Sequence, residues 1–180
     1  MLGKRILLLA AHPDDEVVGC AASIGQARAQ GAEVGVLFLT NGCIPRDAMM
    51  PWRRKTYDRG VAVRRAEAEK AARALRFLPL GWGDRPARTL WSELPRVFAE
   101  TQAVFKHFHP DQVWVPAYEG GNPDHDALNA VGVKLKSTVS VLEFAEYNFF
   151  GGKARAQSFI SADETERVVT LTPEERKAKK

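Results

Sequence analysis

Arg5-Ile6-Leu7-Leu8-Leu9-Ala10-Ala11-His12-Pro13-Asp14-Asp15-Glu16 runs from an unbroken apolar stretch straight into a histidine, a proline and three acids. The apolar part, Arg5 to Ala10, is short and continuous, as expected of a strand buried on both faces of a parallel sheet. The polar part carries groups that bind a metal and move protons. Charges clustered at a strand end are costly unless a cation offsets them, so packing alone does not account for these residues.

Beyond this stretch, short apolar runs alternate with longer helical patterns, the signature of successive βα units. Glu16 to Gln30 reads as the first helix, stopped by Gly31, and Glu33 to Thr40 as the second strand. Cys43 to about Trp52 carries two prolines and two methionines without period and reads as a loop. A long helical pattern covers Arg54 to Leu75, and a third strand covers Arg76 to Leu80. Leu90 to Phe108 is an amphipathic helix, Gln112 to Pro116 a fourth strand, Asp126 to Lys136 a helix, and Ser140 to Phe144 a fifth strand. Gln157 to Ile160 and Arg167 to Leu171 read as edge strands. Thr172-Pro173-Glu174-Glu175 reads as a helix start that reaches the chain end at Lys180 after two turns. The expected architecture is α/β, a Rossmann-like three-layer sandwich with a mainly parallel sheet in the order 3-2-1-4-5, formed by residues 1–180 as one domain.

In open parallel sheets, ligands sit outside the carboxyl ends of the strands where the winding reverses. With strand one beside strand four, the loop after Ala10 meets the loop Ala117-Tyr118-Glu119-Gly120-Gly121-Asn122-Pro123-Asp124-His125. His12 and Asp15, three residues apart at a helix start, face one direction while His125 approaches across the crevice. Two imidazoles and a carboxylate are the ligand set of a catalytic zinc, with Asp14 left over as a base.

Composition narrows the functional classes. The chain has 180 residues, 45% of them hydrophobic and 27% charged, which is ordinary globular usage. A net charge of +4 is modest, and no nucleic-acid partner is expected. No apolar run approaches the roughly 18 residues that span a bilayer, so no membrane role is expected and a cytoplasmic location is. Cys20 and Cys43 are too few for a disulfide framework and read as buried thiols. Between Arg46 and Arg76 ten basic residues face only Asp47, Asp58, Glu67 and Glu69. That excess reads either as the solvated side of a helix and loop or as a lure for an anionic or polyhydroxylated substrate. No glycine-rich phosphate loop follows any strand, which removes the main support for a nucleotide-binding or methyltransferase-like protein.

At these residues the sequence resembles the LmbE-like, or PIG-L, family of zinc-dependent N-deacetylases acting on N-acetylglucosamine-type sugars. Ala11-His12-Pro13-Asp14-Asp15-Glu16 matches the family's first motif completely, and Asn122-Pro123-Asp124-His125 matches the second except at Asn122. Weaker echoes are Thr40-Asn41-Gly42, Arg64-Arg65-Ala66-Glu67 and Leu171-Thr172-Pro173-Glu174-Glu175. The resemblance implies that His12, Asp15 and His125 bind Zn2+, with Fe2+ an alternative in a site of this composition. It implies that Asp14 is the general base, that Asn122 and Asp124 join it as catalytic residues, and that Arg64, or alternatively Arg65, holds substrate. The implied partner is a small N-acetylated amino sugar or conjugate; a homo-oligomer is left open, and a C-terminal portion of the family's domain is expected to be lacking. Where this chain has Asn122 the family's usual histidine stabilises the oxyanion and protonates the leaving amine. An amide donates hydrogen bonds but does not titrate. The competing reading is therefore a zinc-binding pseudoenzyme or sugar-binding protein.

Overall fold

Strand β1 (Arg5–Ala10) is buried along all but its first residue and lies at the centre of a five-stranded sheet. A computed structural model describes residues 2–161 and 163–178; Lys179 and Lys180, at the end of the expected C-terminal helix, lie outside them. β1 pairs with β2 (Glu33–Phe38) on one side and β4 (Gln112–Pro116) on the other, while β3 (Leu78–Trp82) and β5 (Ser140–Phe144) flank these. All four pairings are parallel and the order is β3-β2-β1-β4-β5, the expected one.

Side chains alternate across β1 into two cores. Ile6, Leu8 and Ala10 pack with Ile24, Ala27, Val36, Phe38 and Ala68, beneath helices α2 (Ala21–Ala29) and α3 (Tyr57–Leu75). Leu7 and Leu9 pack with Leu90, Val97, Val115, Leu128 and Val131, beneath α4 (Leu94–Phe108) and α5 (Pro123–Leu135). Helices thus cover both faces, the arrangement that continuous apolar strands require. α5 lies close over β4, and a Cβ at Gly132 would stand 2.8 Å from Val115 Cγ2.

Several boundaries differ from the sequence reading. The first helical stretch is broken: Asp15–Val18 forms a single turn, α1, and the chain resumes as α2 after Cys20, whose φ/ψ of −125/−2 are not helical. Gly19 sits where a Cβ would meet the Phe144 ring at 2.5 Å, so the break lets the chain pass close to β5. β3 begins at Leu78 because Arg76 closes α3 in the left-handed region (φ 58) and the Phe77 N–H still bonds the Ala72 carbonyl. The α-helix expected from Leu90 starts at Leu94 after a 3-10 turn over Leu90–Glu93, since Pro95 fits only a first turn. In the same way α5 starts at Pro123, three residues earlier than expected, because Asn122 caps it.

The expected loop after Cys43 holds two 3-10 stretches, Arg46–Ala48 and Pro51–Thr56. The edge strands expected at 157–160 and 167–171 do not form. Instead the two-residue strands β6 (Tyr147–Asn148) and β7 (Arg155–Ala156) pair antiparallel. Gln157 then enters the left-handed region (φ 55) and ends the ladder. A short helix, α6 (Pro173–Ala178), follows Thr172 as expected. Cys20 is buried and Cys43 only half-buried, and neither is in a disulfide. Among the described residues no helix is long and apolar enough to cross a membrane.

Candidate metal centre

The exit of β1 folds into a tight turn in which the N–H groups of Asp14 and Asp15 bond the His12 carbonyl at 3.0 and 3.3 Å. Asp15 curls back so that its Oδ2 accepts the His12 N–H at 2.9 Å. Its other oxygen, Oδ1, is left facing two imidazole nitrogens, 3.4 Å from His12 Nδ1 and 3.5 Å from His125 Nε2. One potential ligand atom from each of His12, Asp15 and His125 lies within 4.8 Å of the others.

His125 reaches this point because the loop after β4 is pinned at both ends. Asp126 Oδ1 accepts the N–H groups of Glu119 and Gly120 at 3.0 and 3.1 Å. Asn122 Oδ1 accepts the Asp124 N–H at 3.1 Å, capping α5, and Pro123 occupies the first turn, where its missing N–H costs nothing. His125 then projects from that first turn toward β1.

Each imidazole is held from behind by a carboxylate. His12 Nε2–H donates to Asp124 Oδ2 at 3.0 Å; the fully buried Asp124 also accepts the N–H of Arg88 and, at 3.0 Å, that of Leu90. His125 Nδ1–H donates to Glu119 Oε2 at 3.0 Å, while Glu119 Oε1 accepts the N–H groups of Glu146 and Tyr147 at 2.8 and 2.9 Å. These bonds fix which ring nitrogens turn inward, His12 Nδ1 and His125 Nε2. That is the outer arrangement by which proteins orient and enrich metal-binding imidazoles.

Two observations test whether a cation fits. Buried His125 Nε2 makes no hydrogen bond, and its neighbour Asp15 Oδ1 stands 3.5 Å off, a gap that a metal between them would close. Without an ion the cluster takes up protons instead. Burial opposes charge on His12, yet its hydrogen bonds to Asp124 and Asp15 prevail and raise it to about 9. For His125 burial is likewise outweighed, by Asp15 and Glu119, and it rises to about 11. Asp15 is pressed upward by burial but pulled well below the usual carboxylate range by both imidazoles. The surroundings thus demand positive charge between these three side chains, and a divalent ion with two imidazole and one carboxylate ligand supplies it. Glu16 and Glu146 add little negative charge, since burial raises them to about 8 and about 9.

Asp14 stands apart from the three. Its Oδ2 accepts Arg64 Nη1–H at 2.6 Å, and its side chain is 43% exposed. Burial and the negative Asp15 raise its pKa, and Arg64 pulls it back. Arg65, the alternative, points elsewhere, stacked over Trp82 at 4.9 Å. Beside Pro13 a cleft of about 370 Å3 opens between α3 and the ends of β2 and β3, lined by Asn41, Tyr57, Val61, Arg65, Trp82 and Asp84.

The structure therefore brings together His12, Asp14, Asp15, Arg64, Asn122, Asp124 and His125, all anticipated from sequence. Asp124, expected among the catalytic groups, is enclosed behind His12 with both oxygens engaged, which suits holding a ring more than touching a substrate. Sequence reasoning passed over Glu119 and Tyr147. The requirement for a carboxylate behind each metal-binding imidazole points to Glu119 in the quoted loop; nothing in the sequence pattern points to Tyr147.

Comparison with known proteins matches residues 7–136 to the family described as PIG-L, GlcNAc-PI de-N-acetylase. A diacetylchitobiose deacetylase from Thermococcus kodakarensis is 27% identical over 161 residues, or 83% of this chain, and the chain spans 55% of that relative's length. A deacetylase of the teicoplanin biosynthesis pathway superposes with a TM-score of 0.73 at 19% identity, covering 97% of this chain and 80% of the other. The 4-carboxy-2-hydroxymuconate hydratase GalB from Pseudomonas putida KT2440 superposes at 0.53 and 21% identity, covering 74% and 56%. At these identities the superpositions establish the fold, which houses more than one chemistry.

Proposed function

This chain belongs to the PIG-L family, and from that premise we propose that it is a metal-dependent hydrolase that removes the acetyl group from the nitrogen of an N-acetylglucosamine-type sugar or conjugate. The observation that carries the reading is the convergence of His12, Asp15 and His125 on one point, with the buried His125 Nε2 making no hydrogen bond. The T. kodakarensis relative, by its name a diacetylchitobiose deacetylase, supports the substrate class.

Zn2+ is the expected occupant, with Fe2+ the alternative; when bound it supplies Lewis acidity and brings the pKa of water toward about 7. The residues of the chain do the rest. Asp14 Oδ2 is fixed by Arg64, leaving Oδ1 without a partner among the described residues and free to take the proton that the attacking water gives up. Burial and the charge of Asp15 raise the pKa of Asp14, the direction that favours a base. Collapse of the tetrahedral species breaks the C–N bond, and the amine receives the proton Asp14 has just accepted. Asp124 and Glu119 keep the rings aimed, and Arg64 keeps Asp14 beside the substrate. The cleft beside Pro13, walled by Tyr57 and Trp82, receives the remainder of the sugar conjugate, and the Cys43 to Tyr57 segment shapes its selectivity.

A second reading, a metal-binding pseudoenzyme or sugar-binding protein, is favoured by one observation: Asn122, a non-titrating amide, serves as the helix cap. Metal analysis of purified protein combined with acetate release from N-acetylglucosamine, N,N′-diacetylchitobiose and further N-acetylated amino sugars separates the two. One equivalent of metal with metal-dependent acetate release is expected; one equivalent with sugar binding but no release would establish the second reading.

A further inference from the structure

Resting on the deacetylase reading, we propose that Tyr147 is a catalytic residue whose hydroxyl donates a hydrogen bond to the substrate's amide oxygen as that oxygen becomes negative. Asn122, the residue at which the chain departs from the family's second motif, uses both ends of its amide. Asn122 Oδ1 is committed to the Asp124 N–H, which fixes the orientation of the amide and sends its nitrogen outward. Asn122 Nδ2 then donates to the Tyr147 hydroxyl at 3.0 Å. A phenol that accepts a hydrogen bond on its oxygen keeps its own hydrogen for another acceptor. Among the described residues that hydrogen has none.

The phenol is also held in place. Its backbone N–H bonds Glu119 Oε1 at 2.9 Å, and the other oxygen of the same carboxylate aims His125. The Tyr147 ring lies 5.8 Å from the His125 ring, centre to centre, and 6.0 Å from Phe149, which meets it edge-on and covers Gly121. One buried glutamate thus positions a metal-binding imidazole and the backbone of a tyrosine together. Such double anchoring is what a donor preorganised toward developing charge requires.

Several donors near this point are spent. The outward imidazole hydrogens go to Asp124 and Glu119. The first turn of α5 offers Pro123, which has no N–H, and the Asp124 N–H, which Asn122 has taken. The second amide hydrogen of Asn122 and the phenolic hydrogen of Tyr147 stand side by side, neither given to an acceptor among the described residues. As the water oxygen bonds the carbonyl carbon, the C=O π electrons move onto oxygen, where these two hydrogens meet them. When the C–N bond breaks the charge returns to the carbonyl, and neither donor changes its protonation.

The test is Tyr147→Phe, which keeps the ring. Its readouts are acetate release from N-acetylated amino sugars and calorimetric binding of a methylphosphonamide analogue of N-acetylglucosamine, whose tetrahedral oxygens mimic the reacting centre. Loss of a single such donor costs on the order of 100-fold in kcat. We expect a loss of that order in kcat with KM little changed, a comparable weakening of analogue binding, and unchanged zinc affinity and melting temperature. Asn122→Ala should cost at least as much, as it removes both the second hydrogen and the phenol's anchor. Equal analogue binding by wild type and Tyr147→Phe, or a parallel loss of zinc affinity, would overturn the assignment. Wild-type protein that releases no acetate yet binds the analogue through Tyr147 would sink the deacetylase reading while leaving Tyr147 as the donor.

Discussion

The two polar loops that meet at the head of the sheet are built to different tolerances. The loop after β1 is short and its His12 is partly exposed at 14%. The loop after β4 buries His125 to 1% and wraps it with Glu119, Asp126 and Asn122. The two are also crossed: Asp124, from the second loop, holds His12 of the first, and Asp15, from the first, faces His125 of the second. In the proposed reaction the first loop presents the base Asp14, while the second supplies the frame and the Asn122 amide. Neither half makes a site without the other.

The largest effect that would break this comparison is in the pair His125→Ala and Asp14→Ala. His125→Ala should lose bound zinc and all metal-dependent acetate release. Asp14→Ala should keep one equivalent of zinc while kcat falls by about 10²- to 10⁴-fold, the usual range for losing a general base. Metal analysis beside kinetics reads both, and loss of zinc in Asp14→Ala alone would reverse the roles assigned to the two loops.

Next come the carboxylates behind the rings. Asp124→Asn and Glu119→Gln should each weaken zinc binding by roughly 10- to 100-fold. Gln at 119 still has an oxygen for the Glu146 and Tyr147 amides but turns an N–H toward His125, so its effect should fall on metal affinity more than on melting temperature. Zinc affinities indistinguishable from wild type in both variants would remove the framing role.

A third effect is in pH. His12 and His125 stand at about 9 and about 11 in the folded protein without metal, above the ordinary 6.5. Groups raised on folding contribute stability that is fully present below their unfolded pKa and is lost as pH rises through the folded values. Melting of chelated protein should therefore fall as pH climbs from near 7 through about 9 to 11, and zinc binding should release protons and tighten over the same range. A flat melting profile for chelated protein would show that the imidazoles are not held as described.

The smallest effect belongs to Arg64→Ala. Arg64 lowers the pKa of Asp14, so its removal should shift the acidic limb of kcat to higher pH and lower kcat several-fold at neutral pH, with zinc retained. An unmoved acidic limb would sever Arg64 from Asp14.

Much of this was legible in the sequence, for identifiable reasons. β1, β4 and β5 were read to the residue, because short apolar runs between turn signals leave few choices. The three metal-binding candidates followed from charge at strand ends. The break at Gly19–Cys20 was not legible: it answers to the Phe144 ring on β5, a contact 125 residues away in sequence. The helix start at Pro123 was missed, although Asn122-Pro123 is a cap followed by a first-turn proline. Strands were expected at 157–160 and 167–171 although alternation alone names no partner, and the short pair β6–β7 forms instead. Tyr147 escaped because its place depends on a backbone bond to Glu119, which no spacing rule encodes.

The most direct measurement is anomalous diffraction at the zinc edge from crystals of the zinc-loaded protein. The expected result is one peak bonded to His12 Nδ1, an Asp15 carboxylate oxygen and His125 Nε2, at about 2.0 to 2.2 Å from each. Crystals that hold no zinc under saturating metal, or hold it only away from these three side chains, would contradict the assignment of this site.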